Sequence, residues 1–239
     1  MTFKFLKTVL TTCRYAMCIS LTVLSVSGTA SATLIESIAA LEENAMYRVL
    51  FVTSSSRDAT SSSITDYNDF VSTAAASGSV TGSLGLTWKA LASATGVNAQ
   101  MNTGVFNSDF SLVTMFNTAG EIVATTGANF WEAPLNFPIS YTEDAIGVSG
   151  SVHTGTESGG TGSAFYALGN TYSINADVTQ FTQDCYIYCE VSLSTNQLSL
   201  YGVSAIVLKP QADVPEPGTV ILLSLGLAGL SFARYRKQY

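Results

Sequence analysis

Tyr47-Arg-Val-Leu-Phe-Val-Thr53 has the pattern of a buried β-strand. The stretch is short, it is dominated by β-branched, aliphatic and aromatic residues, and it contains neither Gly nor Pro. A polar loop over 54–62 follows, and a helix is predicted to begin at Ser63. A buried strand followed by a helix is the first indication of a mixed α+β domain.

The helix pattern ends at Gly78, a residue type that commonly terminates helices. Ser63 with Asp66 resembles a capping box at its start. A weaker amphipathic pattern over 35–43 precedes the first strand. The apolar side chains of the helix fall on one face. They are Ile64, Tyr67, Phe70, Val71 and Ala74.

Further strands are predicted on both sides of a long polar stretch. Alternation over 86–92 indicates a half-buried strand, and 112–117 with 121–124 reads as a hairpin around Ala119-Gly120. The apolar run 198–208 predicts a final strand. Residues 147–162 are rich in Gly, Ser and Thr and are predicted to be largely loop.

Charge is unevenly distributed along the chain, whose 239 residues carry a net charge of −7. Residues 33–213 hold 16 acidic and four basic side chains, a net charge of −12. A body this acidic is not expected to bind nucleic acid, because phosphate contacts need basic clusters. Its size and its composition predict one strand-rich, extracytoplasmic α+β domain over 47–209, preceded by a lead segment over 33–46.

The N-terminal residues have the order of a secretory signal peptide. Basic residues come first, an uncharged apolar core spans 15–26, and Ala30-Ser31-Ala32 offers a small-residue cleavage site. The apolar core is too short for a membrane helix, which is the alternative reading. We expect signal peptidase to remove residues 1–32 and to leave Thr33 as the first mature residue.

The C-terminal residues predict a second membrane signal. A linker over 210–217 contains Val214-Pro215-Glu216-Pro217, and an uncharged apolar run over 218–233 follows it. As a helix this run spans about 24 Å, slightly less than a bilayer core, and snorkelling arginines extend its reach. The tail over 234–239 carries a basic membrane stop that should stay cytoplasmic. Its basic residues are Arg234, Arg236 and Lys237.

The Pro-Glu-Pro triplet, the apolar run and the basic tail together resemble the PEP-CTERM sorting signal of bacterial exported proteins. The resemblance covers 214–239. It implies recognition by an exosortase, a membrane cysteine transpeptidase, and cleavage near the triplet. A precursor anchored in the inner membrane would then be released to the cell surface or to an exopolysaccharide matrix. The alternative is a proline linker before a permanent anchor.

Short motifs along the body resemble, in order, those of exported modules with a C-type-lectin-like or endostatin-like fold. His153 stands where this family has Trp, and the Cys that often follows Tyr201 in the family is missing. The resemblance implies a carbohydrate-binding module as an alternative function. The matching motifs are the strand at 47–53, Trp88-Lys89-Ala90, 120–124, Asn129-Phe130-Trp131, Pro138-Ile139, Glu143-Asp144, 152–156 and Leu200-Tyr201-Gly202.

Two cysteines remain after removal of the signal peptide, in Cys185-Tyr-Ile-Tyr-Cys189. A straight strand would hold them about 13 Å apart, whereas a turn would bring them within bonding range. An oxidising compartment favours a disulfide, and two buried thiols are the alternative. Zinc is not expected, because the body has no second cysteine pair and only one histidine.

No catalytic group, cofactor or metal is assigned from the sequence. His153 lacks the accompanying residues of a catalytic triad and is interpreted as a structural or exposed loop residue. Trp131, Glu143 and Asp144 are the candidate ligand contacts, with a core anchor and a solvated acidic turn as the alternatives. The sequence thus predicts a non-catalytic surface or matrix protein, with a lectin-like module and a secreted hydrolase as alternatives.

Overall fold

The structure, a computed structural model, describes residues 33–182 and 185–209. The predicted signal peptide, and the predicted linker, membrane segment and basic tail over 210–239, lie outside these residues. Within the part that is described, no helix has both the length and the apolar character needed to cross a membrane.

The described residues contain short helices and nine strands. The α-helices are α1, Leu34–Ala39; α2, Ile64–Ser77; α3, Ala99–Thr103; and α4, Gly127–Glu132. The strands are β1, Met46–Val52; β2, Trp88–Ala90; β3, Val113–Asn117; β4, Ile122–Ala124; β5, Ser151–His153; β6, Tyr172–Asp177; β7, Glu190–Leu193; β8, Ser199–Ser204; and β9, Val207–Leu208. Single 3₁₀ turns lie at Gly82–Leu84 and Ser158–Gly160.

The nine strands form one mixed sheet, in the order β4-β3-β1-β8-β5-β6-β7, with β2 also paired to β8 and β9 to β1. β1 runs parallel to β3 and antiparallel to β8, so that Leu50 lies opposite Val203. The predicted buried strand therefore lies inside the sheet. A strand-rich single domain with few helices is confirmed.

Helix α2 covers one face of the sheet, as the alternation of side chains along β1 requires. Val49 and Phe51 pack with Tyr67 and Val71 of α2, while Leu50 and Val52 belong to a second apolar cluster on the opposite face. That opposite face is covered by α3, α4 and the loops around them.

The predicted helix is confirmed, but its predicted capping box is wrong. Ser63 is the N-cap residue and makes no side-chain hydrogen bond there. The Asp66 carboxylate instead accepts a hydrogen bond from the Ser61 hydroxyl at 2.6 Å. Ser61, two residues before the N-cap, thus binds the acidic side chain that the pattern assigned to Ser63.

The Gly-rich stretch 147–162 contains β5, which the sequence does not predict. β5 lies between β8 and β6, parallel to one and antiparallel to the other. Its three residues, between Gly150 and Gly155, are too few to show a period. The predicted final strand is divided into β8 and β9, because Ala205 turns aside and its N–H donates to the Thr87 carbonyl at 2.9 Å.

The lead segment is tied to the end of the domain. Thr33 caps α1 in a complete capping box with Glu36. At the other end of α1 the Lys209 ammonium donates to the carbonyls of Ala39, at 2.6 Å, and of Leu41. The two ends of the described domain are therefore joined through one short helix.

Candidate functional site

Trp131, a candidate ligand contact from the sequence, lies on α4 with none of its surface exposed. Its indole N–H donates to the Val105 carbonyl at 2.8 Å, and its ring meets Phe130 edge to face at 4.9 Å. A buried ring presents no face to a sugar. The prediction of Trp131 as a ligand contact is therefore wrong, and the residue is a core anchor.

The acidic pair joins two loops instead of facing a ligand. Glu143 is only 3 % exposed, and its carboxylate accepts from the N–H of Ser54, at 2.9 Å, and from the Ser54 hydroxyl. Asp144 accepts from the N–H of Ser79 at 2.6 Å and from its hydroxyl at 2.7 Å. These bonds lower the pKa of Asp144. The predicted ligand role and the solvated acidic turn are both wrong for the buried Glu143.

His153 lies on β5 with no exposed surface. Its Nδ1 is 2.9 Å from Asn175 Oδ1 and 3.0 Å from Ser173 Oγ, while its Nε2 is 3.0 Å from the Asn196 carbonyl. The Asn175 amide also donates to the Ser192 hydroxyl at 2.6 Å. Both ring nitrogens therefore have partners inside the domain, and this histidine is structural.

Cys185 and Cys189 form a disulfide, with their Cα atoms 4.1 Å apart. The two residues between them that matter for packing, Tyr186 and Ile187, are fully buried. The Tyr186 hydroxyl donates to the Phe130 carbonyl, and burial raises the pKa of this phenol. The closed turn thus inserts an aromatic side chain beside α4.

A cleft of about 360 Å³ opens between the turn at 94–98 and the segment 161–170. Its polar walls carry hydroxyl and amide groups and no charge. In the described residues no hydrogen bond occupies the hydroxyls of Thr95 and Thr161, the Asn98 amide N–H groups or the Asn170 amide oxygen. The polar lining residues are Thr95, Asn98, Thr161, Ser163 and Asn170.

Two exposed aromatic residues stand beside this cleft. Phe165 is 78 % exposed and Tyr166 is 40 % exposed, with ring centroids 6.4 Å apart. Their backbone N–H groups both donate to the hydroxyl of Ser163, a wall residue, and the Tyr166 carbonyl accepts from Ile174 on β6. The pair is thereby held against the sheet, in an arrangement able to stack on a sugar ring.

Sequence reasoning missed this cleft. The only signal was a pair of adjacent aromatic residues, Phe165-Tyr166, inside a stretch of small residues. No group of three His, Cys, Asp or Glu side chains within the described ranges is arranged to hold a metal ion.

The comparison with known families concerns the C-terminal residues. The model of the PEP-CTERM protein-sorting motif matches residues 213–237. This range contains the predicted processing site, Val214 to Pro217, and the basic residues Arg234, Arg236 and Lys237. A search of curated proteins gives no significant match.

The match confirms the sequence-based resemblance of the tail, and the motif lies outside the described residues. It implies a membrane-anchored precursor and exosortase-dependent sorting of an exported protein. Residues 213–237 are therefore a PEP-CTERM protein-sorting motif, and this chain is a protein that carries one.

Proposed function

We propose that residues 33–209 are a non-catalytic domain that exosortase delivers to the cell surface or to an exopolysaccharide matrix. The observation that carries the proposal is the sorting motif at 213–237, which begins four residues after Lys209, the last described residue. A folded domain followed directly by a sorting motif is the arrangement expected of an exported cargo.

The bonding of the reactive side chains supports a non-catalytic role. His153 has partners on both ring nitrogens, and the Glu143 carboxylate is buried against Ser54. General acid–base catalysis needs such groups within reach of a substrate proton. Their engagement in the interior favours a structural or adhesive function over a hydrolase.

Mass spectrometry of the mature protein tests the delivery. The full chain is expressed in a host with its exosortase and in one from which the exosortase gene is deleted. We expect an N-terminus at Thr33 in both hosts, and a C-terminus near Pro215-Glu216-Pro217 only where exosortase is present. A chain that still ends at Tyr239 in the exosortase-containing host would contradict the processing and leave a permanent anchor.

Substitution of the triplet supplies a matched control. Replacing Pro215, Glu216 and Pro217 by Ala should leave the precursor unprocessed, because it removes the residues that define the motif. Pro210→Ala, a change in the same linker, should be processed normally. Equal processing of the two variants would show that the triplet is not the recognised element.

Carbohydrate binding is the second candidate function, and the uncharged cleft beside Phe165 and Tyr166 favours it. The resemblance to C-type-lectin-like modules points the same way and stays a prediction. We expect glycan-array binding that Phe165→Ala abolishes. Phe110→Ala, which removes an aromatic ring that is 75 % exposed elsewhere, is the control. Loss of binding in both variants, or in neither, would argue against the cleft.

A further inference from the structure

A second cavity, of about 290 Å³, lies at the other side of the sheet from α2 and is distinct from the uncharged cleft. It opens where β2 and the end of β8 meet the C-terminal end of α3. Two of its lining residues, Arg48 and Lys89, are cationic, and none of the residues that line it is acidic. Its other lining residues with polar or aromatic side chains are Thr87, Trp88, Thr103 and Ser204.

Strand register brings the two cations together. Lys89 lies opposite Val203 of β8, and Val203 lies opposite Leu50 of β1. Side chains of directly opposed residues project from the same face of a sheet, and Arg48 shares the face of Leu50 because it is two residues away. Only four basic residues occur over 33–209, so this cavity holds half of them.

The Arg48 guanidinium is held by carbonyl groups alone. It donates to the carbonyls of Thr103 at 3.0 Å, Ser204 at 2.8 Å and Gly104 at 2.9 Å, and it is 4 % exposed. A guanidinium has five N–H donors, so two of them have no acceptor among the described residues. No carboxylate of these residues forms an ion pair with it.

Arg48 stays cationic at neutral pH. Burial lowers its pKa to about 10, and the negative charge of Asp109 opposes that shift. A buried cation without an ion-pair partner is costly. An anion that enters the cavity would offset this cost, with the exposed Lys89 ammonium at the entrance to attract it.

We propose that this cavity binds the carboxylate of a uronic acid. The guanidinium donates its two free N–H groups to the carboxylate, which matches the planar fork of Arg. The Thr87 hydroxyl, which has no partner among the described residues, is available to a sugar hydroxyl. A doubly charged phosphate is disfavoured more than a singly charged carboxylate, since residues 33–209 have 15 acidic and four basic side chains, a net charge of −11.

The choice of a uronate as the ligand rests on the proposed delivery to an exopolysaccharide matrix, whereas the anion site itself does not. Acidic sugars give such a matrix its carboxylates. The volume of the cavity suits one sugar residue and not a longer segment. The ligand is therefore a free sugar acid or a single uronate residue of a polymer.

Isothermal titration of the purified full chain with glucuronate tests the site, with glucose as the uncharged probe of the same shape. Glucuronate should bind, and glucose should bind at least about tenfold more weakly. Lys89→Gln should weaken glucuronate binding about tenfold. Arg57→Gln, which removes the same charge from the loop after β1, should leave binding unchanged.

Arg48→Lys keeps the charge but removes the fork, and it should weaken binding more than Lys89→Gln. Because Arg48 is buried, its replacement also affects the stability of the fold. Thr87→Val leaves both charged groups in place and removes the hydroxyl assigned to the sugar, and it should weaken glucuronate binding. Equal binding of glucuronate and glucose, no binding of glucuronate, or an unchanged affinity of the Lys89→Gln chain would each overturn the proposal.

Two further measurements are needed. One distinguishes a uronate residue of a polymer from a free sugar acid as the ligand, and the other tests the proposed delivery separately from the anion site. Binding of a polyuronate with the same sensitivity to Lys89→Gln identifies a polymer residue as ligand, while binding of glucuronate alone identifies a free sugar acid. Cell fractionation tests delivery independently. A chain that binds glucuronate but is absent from the surface and matrix would refute the proposed function and leave the anion site standing.

Discussion

Two regions of the same sheet are buried by opposite means. In β1 the fully buried side chains are apolar, as with Val49, Leu50 and Phe51. In β5 and β6 one face is apolar, with Val152, Ile174 and Ala176, but the residues of the other face that have no exposed surface are polar, namely His153, Ser173 and Asn175. The first region is held by packing, and the second by a closed set of hydrogen bonds. Burial therefore does not require an apolar sequence, provided that every polar group has a partner.

The two regions should respond differently to substitution. An apolar core loses stability in proportion to the atoms removed and the cavity left. A buried polar network depends on completeness, because a remaining partner without its hydrogen bond has lost its solvation as well.

The largest effect is expected in β1. Phe51 packs edge to face on Trp88, with ring centroids 5.1 Å apart, and its ring occupies the space beside Gly202. Phe51→Ala should lower the free energy of unfolding by about 3–5 kcal/mol, measured by urea denaturation. Phe110→Ala, at an exposed ring, should change it by less than about 0.5 kcal/mol. Equal losses would mean that the core does not depend on this packing.

The next effect is expected in the polar network. Asn175→Ala removes partners of His153 and Ser192 and should cost about 3 kcal/mol. The double variant His153→Leu, Asn175→Leu removes both ends of the central hydrogen bond. A double-mutant cycle in urea should therefore show that the double variant costs less than the sum of the two single changes. Strict additivity would contradict a coupled network.

A smaller effect is expected from the disulfide, which lies between β6 and β7. Cys185 and Cys189 are four residues apart, so the bond closes a short loop. Replacing both by Ser should cost about 2 kcal/mol on the chain-entropy account. A reducing agent should lower the thermal midpoint of the natural chain and leave that of the Ser variant unchanged. The same response in both chains would show that the bond does not contribute.

The smallest effect is a pH dependence. Hydrogen bonds from Ser79 lower the pKa of Asp144, and those from Thr179 lower the pKa of Asp177, from the ordinary value of 3.8. A carboxylate whose pKa is lower in the folded state stabilises the fold fully above its unfolded-state pKa. This stability is lost as the pH falls through the folded-state pKa. Asp177→Asn and Asp144→Asn should each flatten the acid part of a stability–pH curve. Unchanged curves would contradict the lowered pKa values of Asp144 and Asp177.

The sequence predicted the elements whose core side chains are apolar. The strand at 47–53 is a short run of apolar residues, the helix after Ser63 has an apolar face of helical period, and the hairpin of β3 and β4 has a turn at Ala119-Gly120. Each of these elements can therefore be predicted from its own stretch of sequence.

The sequence did not predict β5, β6 or β7. β6 alternates apolar residues (Tyr172, Ile174, Ala176) with polar ones, but the buried polar residues of β5 and β6 are Ser, His and Asn, which are more common in loops. His153 becomes an interior residue only because Asn175 and Asn196 reach it from distant parts of the chain. No local sequence pattern indicates these long-range hydrogen bonds.

The candidate sites show the same division. Trp131 and Glu143 were of the residue types that bind ligands, yet both are buried. The cavity of Arg48 and Lys89 joins two strands through β8, a third strand from the far end of the domain. Residue type is a property of one position, whereas exposure and proximity depend on how distant segments pack.

By itself the sequence determined the sorting motif and the apolar elements of the fold. The motif is a short linear signal, so its meaning lies in adjacent residues. Only the tertiary structure decided which polar side chains are buried, where the aromatic pair Phe165-Tyr166 stands and which cations meet. These features depend on strand register and long-range hydrogen bonds, which form between residues that the sequence keeps far apart.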